Sequence, residues 1–287
     1  VYRIRLESTE VVEASLRGRL KQQARLGDKI VIGDSVTVRL DREGGATVEE
    51  VGSRRSQVVR RGPGGRRPKV VAANVDRLVV VASVTQPEPR QVLLDRLLAV
   101  GEANHLETVL VMNKLDLAED PRPARALMSL YRSIGYRVVE TSAVSGLGLR
   151  ELEEVLSGCV AALVGPSGVG KSSLLNAIQP ELGLRTGELS HKVARGRHTT
   201  VSGRLIPLRC GGLVADTPGF SDVGLWGVKP EEVEGCFPEF APHRDRCRFR
   251  GCSHLHEPDC GVQEALEAGD IDSGRFESYR VLAGESR

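Results

Sequence analysis

The pattern of hydrophobic and polar residues changes twice along this chain, and these changes divide the chain into three parts. Up to about residue 60, short stretches of alternating apolar and polar residues are separated by glycine-containing turns. This pattern is typical of antiparallel strands joined by tight turns. It predicts a small β-barrel of the OB type with strands at 29–32, 35–40 and 48–51. The abrupt start at Val1 predicts that the first strand is incomplete.

From Val70 onward, continuous apolar runs alternate with segments in which apolar residues recur at helical spacing. Continuous runs are typical of parallel strands buried on both faces, and the alternation predicts an α/β sheet covered by helices on both sides. The predicted strands are 77–82, 108–112, 137–140, 159–164, 204–208 and 212–215. The predicted helices are 90–102, 124–134, 149–156 and 171–178.

The third part begins after about Gly227, where the amino-acid composition shifts to Glu, Cys, His, Arg and Pro. This shift predicts a separate and largely helical unit at the C-terminal end. The sequence therefore predicts an α/β protein of three domains: a barrel with a basic linker at 1–66, a nucleotide-binding domain at 67–226, and a helical domain at 227–287.

Composition sets limits on what such a chain does. It has 287 residues, of which 40% are apolar and only 3% aromatic, so few rings are available to stack on bases. No apolar run reaches the roughly 18 residues that a membrane helix needs, and no signal peptide is visible. Six cysteines in a chain of this length do not indicate a disulfide scaffold. We expect a cytoplasmic protein, monomeric and without a membrane partner.

Charge is distributed unevenly although the net charge is only +2. The stretch 54–69 contains no acidic residue, and the segment 62–68 within it is rich in Gly, Pro and Arg, which predicts a mobile linker. The basic residues are Arg54, Arg55, Arg60, Arg61, Arg66, Arg67 and Lys69. We expect this stretch to contact the phosphate backbone of RNA rather than to stack on its bases.

A glycine-rich loop lies between the predicted strand at 159–164 and the predicted helix at 171–178. It fits the pattern G-x-x-x-x-G-K-[ST], and its residues are Gly165, Pro166, Ser167, Gly168, Val169, Gly170, Lys171 and Ser172, with Ser173 next in the helix. In such a loop the backbone N–H groups and the helix N-terminus face phosphate oxygens. We predict that Lys171 contacts the β and γ phosphates and that Ser172 binds Mg²⁺.

Asn113-Lys114-Leu115-Asp116 ends the predicted strand at 108–112. In an N-K-x-D loop the aspartate accepts hydrogen bonds from two guanine N–H groups, a pair that adenine does not offer on that edge. We predict this role for Asp116, a tether to the neighbouring loop for Asn113, and contact with the base plane for Lys114. After the next strand, the backbone of Ser142 and Ala143 is placed to donate to guanine O6.

Asp216-Thr217-Pro218-Gly219 ends the predicted strand at 212–215. Asp216 is predicted to hold Mg²⁺ through water, and the Gly219 N–H to sense the γ phosphate. Many GTPases place a Gln immediately after this motif to orient water, but this chain has Phe220. The guanine motif precedes the phosphate loop, which is the reverse of the usual order, so the GTPase domain is predicted to be circularly permuted.

The loop 196–200, with the sequence Gly-Arg-His-Thr-Thr, lies between the phosphate loop and Asp216. One of its threonines is placed to complete the Mg²⁺ sphere, with Thr200 favoured and Thr199 as the alternative. His198 is the nearest titratable candidate to position water, and a solvated loop histidine is the competing interpretation.

Cys247, Cys252 and Cys260 lie close together with two histidines, His254 and His256. Three thiolates and one imidazole suit tetrahedral Zn²⁺, and four filled positions indicate a structural site rather than a catalytic one. The spacing alone leaves both histidines open as the fourth ligand.

The barrel, the permuted GTPase domain and the Cys-Cys-His-Cys knuckle, in this order, resemble the bacterial ribosome small subunit-dependent GTPase A family over nearly the whole chain. The most specific segments are 165–176, 196–200, 216–220 and 252–260. The family knuckle reads C-x-H-x-x-E-P-x-C, so the resemblance implies that His254 is the ligand and His256 a spacer. A hydrophobic residue after D-T-P-G is also a family trait, and Phe220 occupies that position.

This resemblance implies a GTP hydrolase that acts late in maturation of the small ribosomal subunit. It implies binding of GTP and GDP with Mg²⁺, one structural zinc, contact with ribosomal RNA near the decoding region, and help in releasing other assembly factors. We expect slow turnover alone and stimulation by the small subunit. The alternatives are a GTP-dependent switch with a protein partner outside the ribosome, and an RNA-binding module with a vestigial GTPase site.

Overall fold

The computed structural model describes residues 1–20, 30–41, 45–61, 68–185, 204–216 and 228–285. Its N-terminal part is a four-stranded sheet in the order β1-β2-β4-β3. The strands are β1 (Tyr2–Arg5), β2 (Val11–Leu16), β3 (Val36–Leu40) and β4 (Ala46–Val51). The strands predicted at 35–40 and 48–51 are thus confirmed. Ala14, Leu20, Ala46 and Val48 form its small buried core, as the alternating pattern requires.

The strand predicted at 29–32 is wrong in its described part, 30–32. Only Ile32 makes an isolated bridge, to Ala72. The chain turns here because Asp34 Oδ2 accepts a hydrogen bond from the Val31 N–H at 2.8 Å and Gly33 adopts a φ of 85°. A left-handed glycine followed by this side-chain contact favours a turn over an extended strand.

A two-stranded hairpin follows the first sheet. Strand β5 (Gln57–Arg61) pairs antiparallel with β6 (Pro68–Ala73). The predicted linker at 62–68 lies outside the described residues except for Pro68, which begins β6. The segment therefore joins two paired strands, and the domain boundary predicted between residues 66 and 67 falls within this hairpin.

The central sheet has six strands in the order β11-β12-β10-β7-β8-β9, all parallel except β11. The strands are β7 (Arg77–Ser83), β8 (Glu107–Asn113), β9 (Arg137–Glu140), β10 (Val160–Val164), β11 (Arg204–Pro207) and β12 (Leu213–Asp216). The helices are α1 (Gln91–Ala103), α2 (Arg122–Ile134), α3 (Leu149–Leu156) and α4 (Lys171–Ile178), with 3-10 turns at Leu115–Leu117 and Pro180–Leu182. Every strand and helix predicted in this region is confirmed, with ends shifted by one or two residues at most.

Two aliphatic cores lie on opposite faces of this sheet. Val80 and Leu110 belong to the core that packs against α1 and α2, whereas Val79 and Val111 belong to the core that packs against α3 and α4. Burial of successive residues on alternate faces explains why these strands are continuous apolar runs. This buried sheet is a rigid support for the loops at the ends of its strands.

The C-terminal unit is helical, as predicted. It contains 3-10 helices at Pro230–Cys236 and Pro238–Phe240, and helices α5 (Ala241–Arg244), α6 (Gly261–Ala268) and α7 (Ser273–Glu285). Phe237, Phe240 and Tyr279 form its aromatic centre, with ring centroids 5.0 to 5.5 Å apart. Ala99 of α1 packs into the same core. Among the described residues, none of the helices is long and apolar enough to cross a membrane.

Candidate functional site

The sequence motifs converge at one edge of the central sheet. Asn113 ends β8, Thr141 follows β9, Gly165 follows β10, and Asp216 ends β12. These four strands are parallel, so their carboxyl ends share one edge, where open α/β sheets bind ligands. The motifs therefore come together at a single site although their order along the chain is permuted.

The glycine-rich loop approaches the neighbouring strand too closely for any side chain at its first position. Gly165 has a φ of 145°, and a Cβ there would collide with the carbonyl of Val81. Val169, in contrast, is buried in the core beneath the loop. These two contacts hold the loop backbone against the sheet, while Ser167 and Gly168 are exposed on the side where phosphate is expected.

Lys171 lies within this loop rather than in solvent. Its side chain is buried, and Nζ donates hydrogen bonds to the carbonyls of Gly165 at 2.7 Å and Pro166 at 2.9 Å. Burial lowers the pKa of Lys171 to about 8. An ammonium group held by neutral carbonyls is a strong donor for an anion, because a phosphate would restore the charge interaction that burial removes.

Asn113 connects the guanine motif to the phosphate loop. It is buried, and its Nδ2 donates to the Val169 carbonyl at 2.8 Å. Its Oδ1 accepts a hydrogen bond from Thr141 Oγ1 at 3.2 Å. The expected tether is therefore present and extends to a third motif, while contact of these residues with nucleotide stays a prediction.

Asp116 is held by a residue whose side chain had no predicted role. Ser142 Oγ donates to Asp116 Oδ1 at 2.5 Å and accepts from the Ser145 N–H at 3.0 Å. Ser142 is buried, whereas Asp116 is exposed at the edge of the sheet. This pair engages one carboxylate oxygen of Asp116. Ala143 follows Ser142 with a half-buried side chain.

Lys114 adopts a left-handed backbone conformation with a φ of 63°. Its Nζ donates to the carbonyl of Gln86, in the loop that follows β7. Gln86 is a site residue that sequence reasoning missed, since its contribution is a backbone carbonyl that no motif records.

The magnesium-side residues are described only in part. Asp216 forms a cross-strand ion pair with Arg204, with Nε 3.2 Å from Oδ2. The Ser172 hydroxyl is buried at the start of α4. A hydroxyl and a carboxylate are the oxygen donors that Mg²⁺ prefers, so these two residues fit the ion. The predicted residues His198, Thr199, Thr200 and Gly219 lie outside the described residues.

The cysteine cluster is arranged so that it could hold a metal ion. The ligand atoms of Cys247, Cys252, His254 and Cys260 all lie within 4.8 Å of one another. The Sγ atoms of Cys247 and Cys260 are 3.8 Å apart, which matches the edge of about 3.8 Å of a tetrahedron with Zn–S bonds of about 2.3 Å. The donor set and its geometry fit Zn²⁺ with no position left for a catalytic water.

His254 is the histidine of this site. Its Nδ1 lies 3.3 Å from Cys260 Sγ, and its Nε2 lies 2.6 Å from Glu234 Oε2. A ligating imidazole commonly donates its other N–H to a carboxylate, which fixes its orientation. His256 is exposed. The structure thus chooses between the two histidines, and it adds Glu234, which lies 20 residues upstream of His254 and has no sequence signal.

Glu257 shapes the loop between the last two ligands. Its carboxylate accepts hydrogen bonds from the Ser253 N–H at 2.9 Å, from the Ser253 hydroxyl at 3.1 Å, and from the N–H groups of Leu255 and His256 at 3.2 Å. Burial opposes ionisation, but these donors prevail and lower the pKa of Glu257 to about 2. The loop is therefore organised around a half-buried carboxylate.

Comparison with known proteins agrees with this geometry. The family model described as RsgA GTPase matches residues 51–226, more than half of the chain. The small ribosomal subunit biogenesis GTPase RsgA of Gemmatimonas aurantiaca is 45% identical over 288 residues, covering 99% of this chain and 94% of the relative.

Two solved structures are similar over nearly the whole chain. YjeQ from Thermotoga maritima has a TM-score of 0.81 at 37% identity and covers 98% of this chain and 91% of its own. YloQ, described as a circularly permuted GTPase, has a TM-score of 0.75 at 32% identity. The match covers 98% of this chain and 88% of the YloQ chain. The permuted order of motifs predicted from the sequence is thus confirmed.

Proposed function

Since the chain belongs to the RsgA GTPase family and is a GTP hydrolase, we propose that it acts late in assembly of the small ribosomal subunit. The curated relatives are named small ribosomal subunit biogenesis GTPases. The observation that carries the nucleotide assignment is the convergence of the guanine motif and the phosphate loop, joined by Asn113 and Val169, at one sheet edge.

Base recognition is assigned to Asp116. Its carboxylate accepts hydrogen bonds from the two N–H groups of guanine, and the hydrogen bond from Ser142 restricts the orientation of this carboxylate. Lys114 lies along the base plane, and the backbone at Ser142 and Ala143 donates to guanine O6. Adenine offers no matching pair of donors. When adenine occupies the site, the Asp116 carboxylate is left without hydrogen-bond donors from the base, and this loss discriminates against adenine.

Hydrolysis is assigned to electrostatic stabilisation. Lys171 moves from the loop carbonyls to the β and γ phosphates, and the loop N–H groups surround the phosphate oxygens. Ser172, Asp216 and Thr200 are the residues that would hold Mg²⁺, and the ion would supply positive charge to offset that of the phosphates. Phe220 cannot orient water, so His198 is the candidate for that role.

Zinc is assigned a structural role in the C-terminal unit. The Cys247, Cys252, His254 and Cys260 set is closed and lies in the same core as the aromatic residues. The metal would therefore stabilise the fold of this unit rather than take part in hydrolysis.

RNA contact is assigned to the N-terminal part and its basic hairpin. Arg54 and Arg55 pair with Asp34 and Asp76 at 2.7 and 2.9 Å. The stretch 54–69 contains no acidic residue, and its basic residues are the proposed phosphate contacts. The proposed partners are GTP, GDP and the small subunit with its ribosomal RNA. The proposed state is a cytoplasmic monomer.

Nucleotide specificity tests this assignment. In titrations with fluorescent GDP and XDP, we expect Asp116→Asn to weaken GDP binding and to favour XDP, because an amide presents a donor where guanine also presents one. Unchanged GDP affinity in this variant would show that Asp116 does not read the base.

A further inference from the structure

The loop 84–90 and helix α1 lie between the nucleotide site and the C-terminal unit. At its N-terminal end this segment contacts the guanine motif and lies beside the phosphate loop. Lys114 Nζ donates to the Gln86 carbonyl, and a side chain placed at Gly168 of the phosphate loop would meet Pro87 Cδ at 3.7 Å. Ser83 Oγ anchors the loop by donating to the Pro87 carbonyl at 2.8 Å.

Further along, in the first half of α1, the segment contacts the C-terminal unit through a buried ionic cluster. Asp95 of α1 and Arg275 of α7 are almost completely buried, with Arg275 Nη1 2.7 Å from Asp95 Oδ1. Arg275 also donates two hydrogen bonds to Glu239, at 2.6 and 3.0 Å. Tyr131 of α2 donates to the same Asp95 oxygen at 2.6 Å.

This cluster fixes orientation as well as proximity. The guanidinium is planar and makes paired hydrogen bonds to Glu239, and its Cζ atom lies over the Phe237 ring, 4.6 Å from the centroid. A buried charge left without its partner is strongly unfavourable. Helices α1 and α7 can therefore move as one body far more easily than they can slide past each other.

A second contact joins α1 to α7 one helical turn earlier in α1. Gln91 Nε2 donates to Asp272 Oδ1 at 3.1 Å, and the same oxygen accepts from the backbone N–H of Arg275 at 2.9 Å. Gln91 thus contacts the residue that caps the start of α7. Gln91 and Asp95 are four residues apart and lie on one face of α1.

We propose that Arg275 is a positioning residue for guanine nucleotide binding. It holds α1 through Asp95, and α1 in turn holds the loop 84–90 against Lys114 and the phosphate loop. The C-terminal unit and the nucleotide site consequently influence each other through this helix, and by linkage the influence is reciprocal. The proposal rests on the nucleotide site assigned above.

The first test is hydrogen exchange of the zinc-loaded, full-length protein with and without GDP. We expect GDP to slow exchange in the phosphate loop and also in α7, although α7 does not contribute to the predicted site. Protection confined to the nucleotide motifs, with α7 unchanged, would overturn the proposal. Failure of GDP to bind at all would instead refute the proposed function.

The second test compares variants at the two ends of the contact between α1 and α7. We expect Arg275→Met to weaken GDP binding about fivefold or more, Arg275→Lys to restore part of this loss, and Gln91→Ala to have a smaller effect. Arg96→Ala is the matched control, since it removes an exposed ion pair with Glu285 between the same helices, and its GDP affinity should equal that of wild type.

The readout must separate positioning from folding. Zinc content and the circular dichroism spectrum report whether the C-terminal unit of each variant is intact. If Arg275→Met does not fold, the comparison uses Gln91→Ala, in which GDP-dependent protection of α7 should decrease. Intact variants of Arg275 and Gln91 with wild-type affinity and wild-type protection of α7 would contradict the proposal.

Discussion

The side-chain amide of Asn113 donates a hydrogen bond to the backbone carbonyl of Val169, 2.8 Å away and 56 residues later in the chain. The first residue belongs to the guanine motif and the second to the phosphate loop. Both lie in the buried floor of the site, where an unmade hydrogen bond is costly. The two halves of the nucleotide site are thus coupled before any ligand binds.

Asn113→Ala should weaken GDP binding roughly tenfold, because it removes the side-chain donor to the buried Val169 carbonyl, at about 1–3 kcal/mol. The Thr141 hydroxyl loses one of its two acceptors and keeps the Met112 carbonyl. Titration with fluorescent GDP measures the loss. Thr141→Val is the matched control, since it keeps the bond to Val169 and should cost less. A GDP affinity within twofold of wild type for Asn113→Ala would contradict the role of the tether.

Ser142→Ala should reduce guanine affinity about tenfold, which corresponds to about 1.4 kcal/mol, by removing the hydrogen bond that orients Asp116. Ser145 lies in the same turn and is exposed, so Ser145→Ala serves as the control with affinity near that of wild type. Competition of GDP against ADP gives the specificity ratio. An unchanged ratio in Ser142→Ala would mean that the serine is dispensable.

Zinc removal should unfold the C-terminal unit and make four thiols per chain reactive: those of the ligands Cys247, Cys252 and Cys260, and that of Cys236 in the same core. Elemental analysis and thiol titration during treatment with a chelator measure both quantities. Cys236 should react slowly in the zinc-loaded protein, because burial raises its pKa to about 12. We expect His254→Ala to lose zinc and His256→Ala to retain it; the reverse result would reassign the ligand.

Glu257→Gln should lower the stability of the C-terminal unit by about 1–3 kcal/mol at neutral pH, since its charged hydrogen bonds organise the knuckle loop. The folded-state pKa of about 2 lies below the reference value of 4.5. The unfolded state therefore binds more protons between these values, and the contribution of Glu257 is lost as pH falls through that range.

Thermal unfolding of wild type and Glu257→Gln, followed between pH 7 and about pH 2.5, checks this dependence because the range includes most of the interval between the two pKa values. The two proteins share all four zinc ligands, so loss of metal in acid affects both. The difference in stability should narrow as the pH falls. A difference that stays constant over this range would show that the carboxylate of Glu257 is not the source.

The central sheet was predictable because its strands are buried on both faces. Leu78–Val81 and Thr108–Met112 are apolar runs that only a parallel strand between helix layers explains well. Strands β1 and β2 have half-buried, mixed positions, and such short alternation does not distinguish a strand from a loop. The motifs were found because each is local in sequence.

The contacts that complete the site were not predictable. Ser142 reaches Asp116 across 26 residues, Glu234 reaches His254 across 20, and Asp95 reaches Arg275 across 180. Each pair is created by tertiary packing and leaves no periodic or spaced signal in a single sequence. The residues expected to bind nucleotide and metal could therefore be predicted from the sequence. The residues that orient them could be identified only from the folded structure.

The central claim is that the chain is a GTPase whose activity depends on the small ribosomal subunit. The most direct measurement is GTP hydrolysis by the purified protein alone, with small subunits, and with large subunits, alongside Lys171→Ala. We predict slow hydrolysis alone, strong stimulation by small subunits only, and no hydrolysis by the variant. Tight GTP binding without stimulation by small subunits, or normal turnover in Lys171→Ala, would contradict the account.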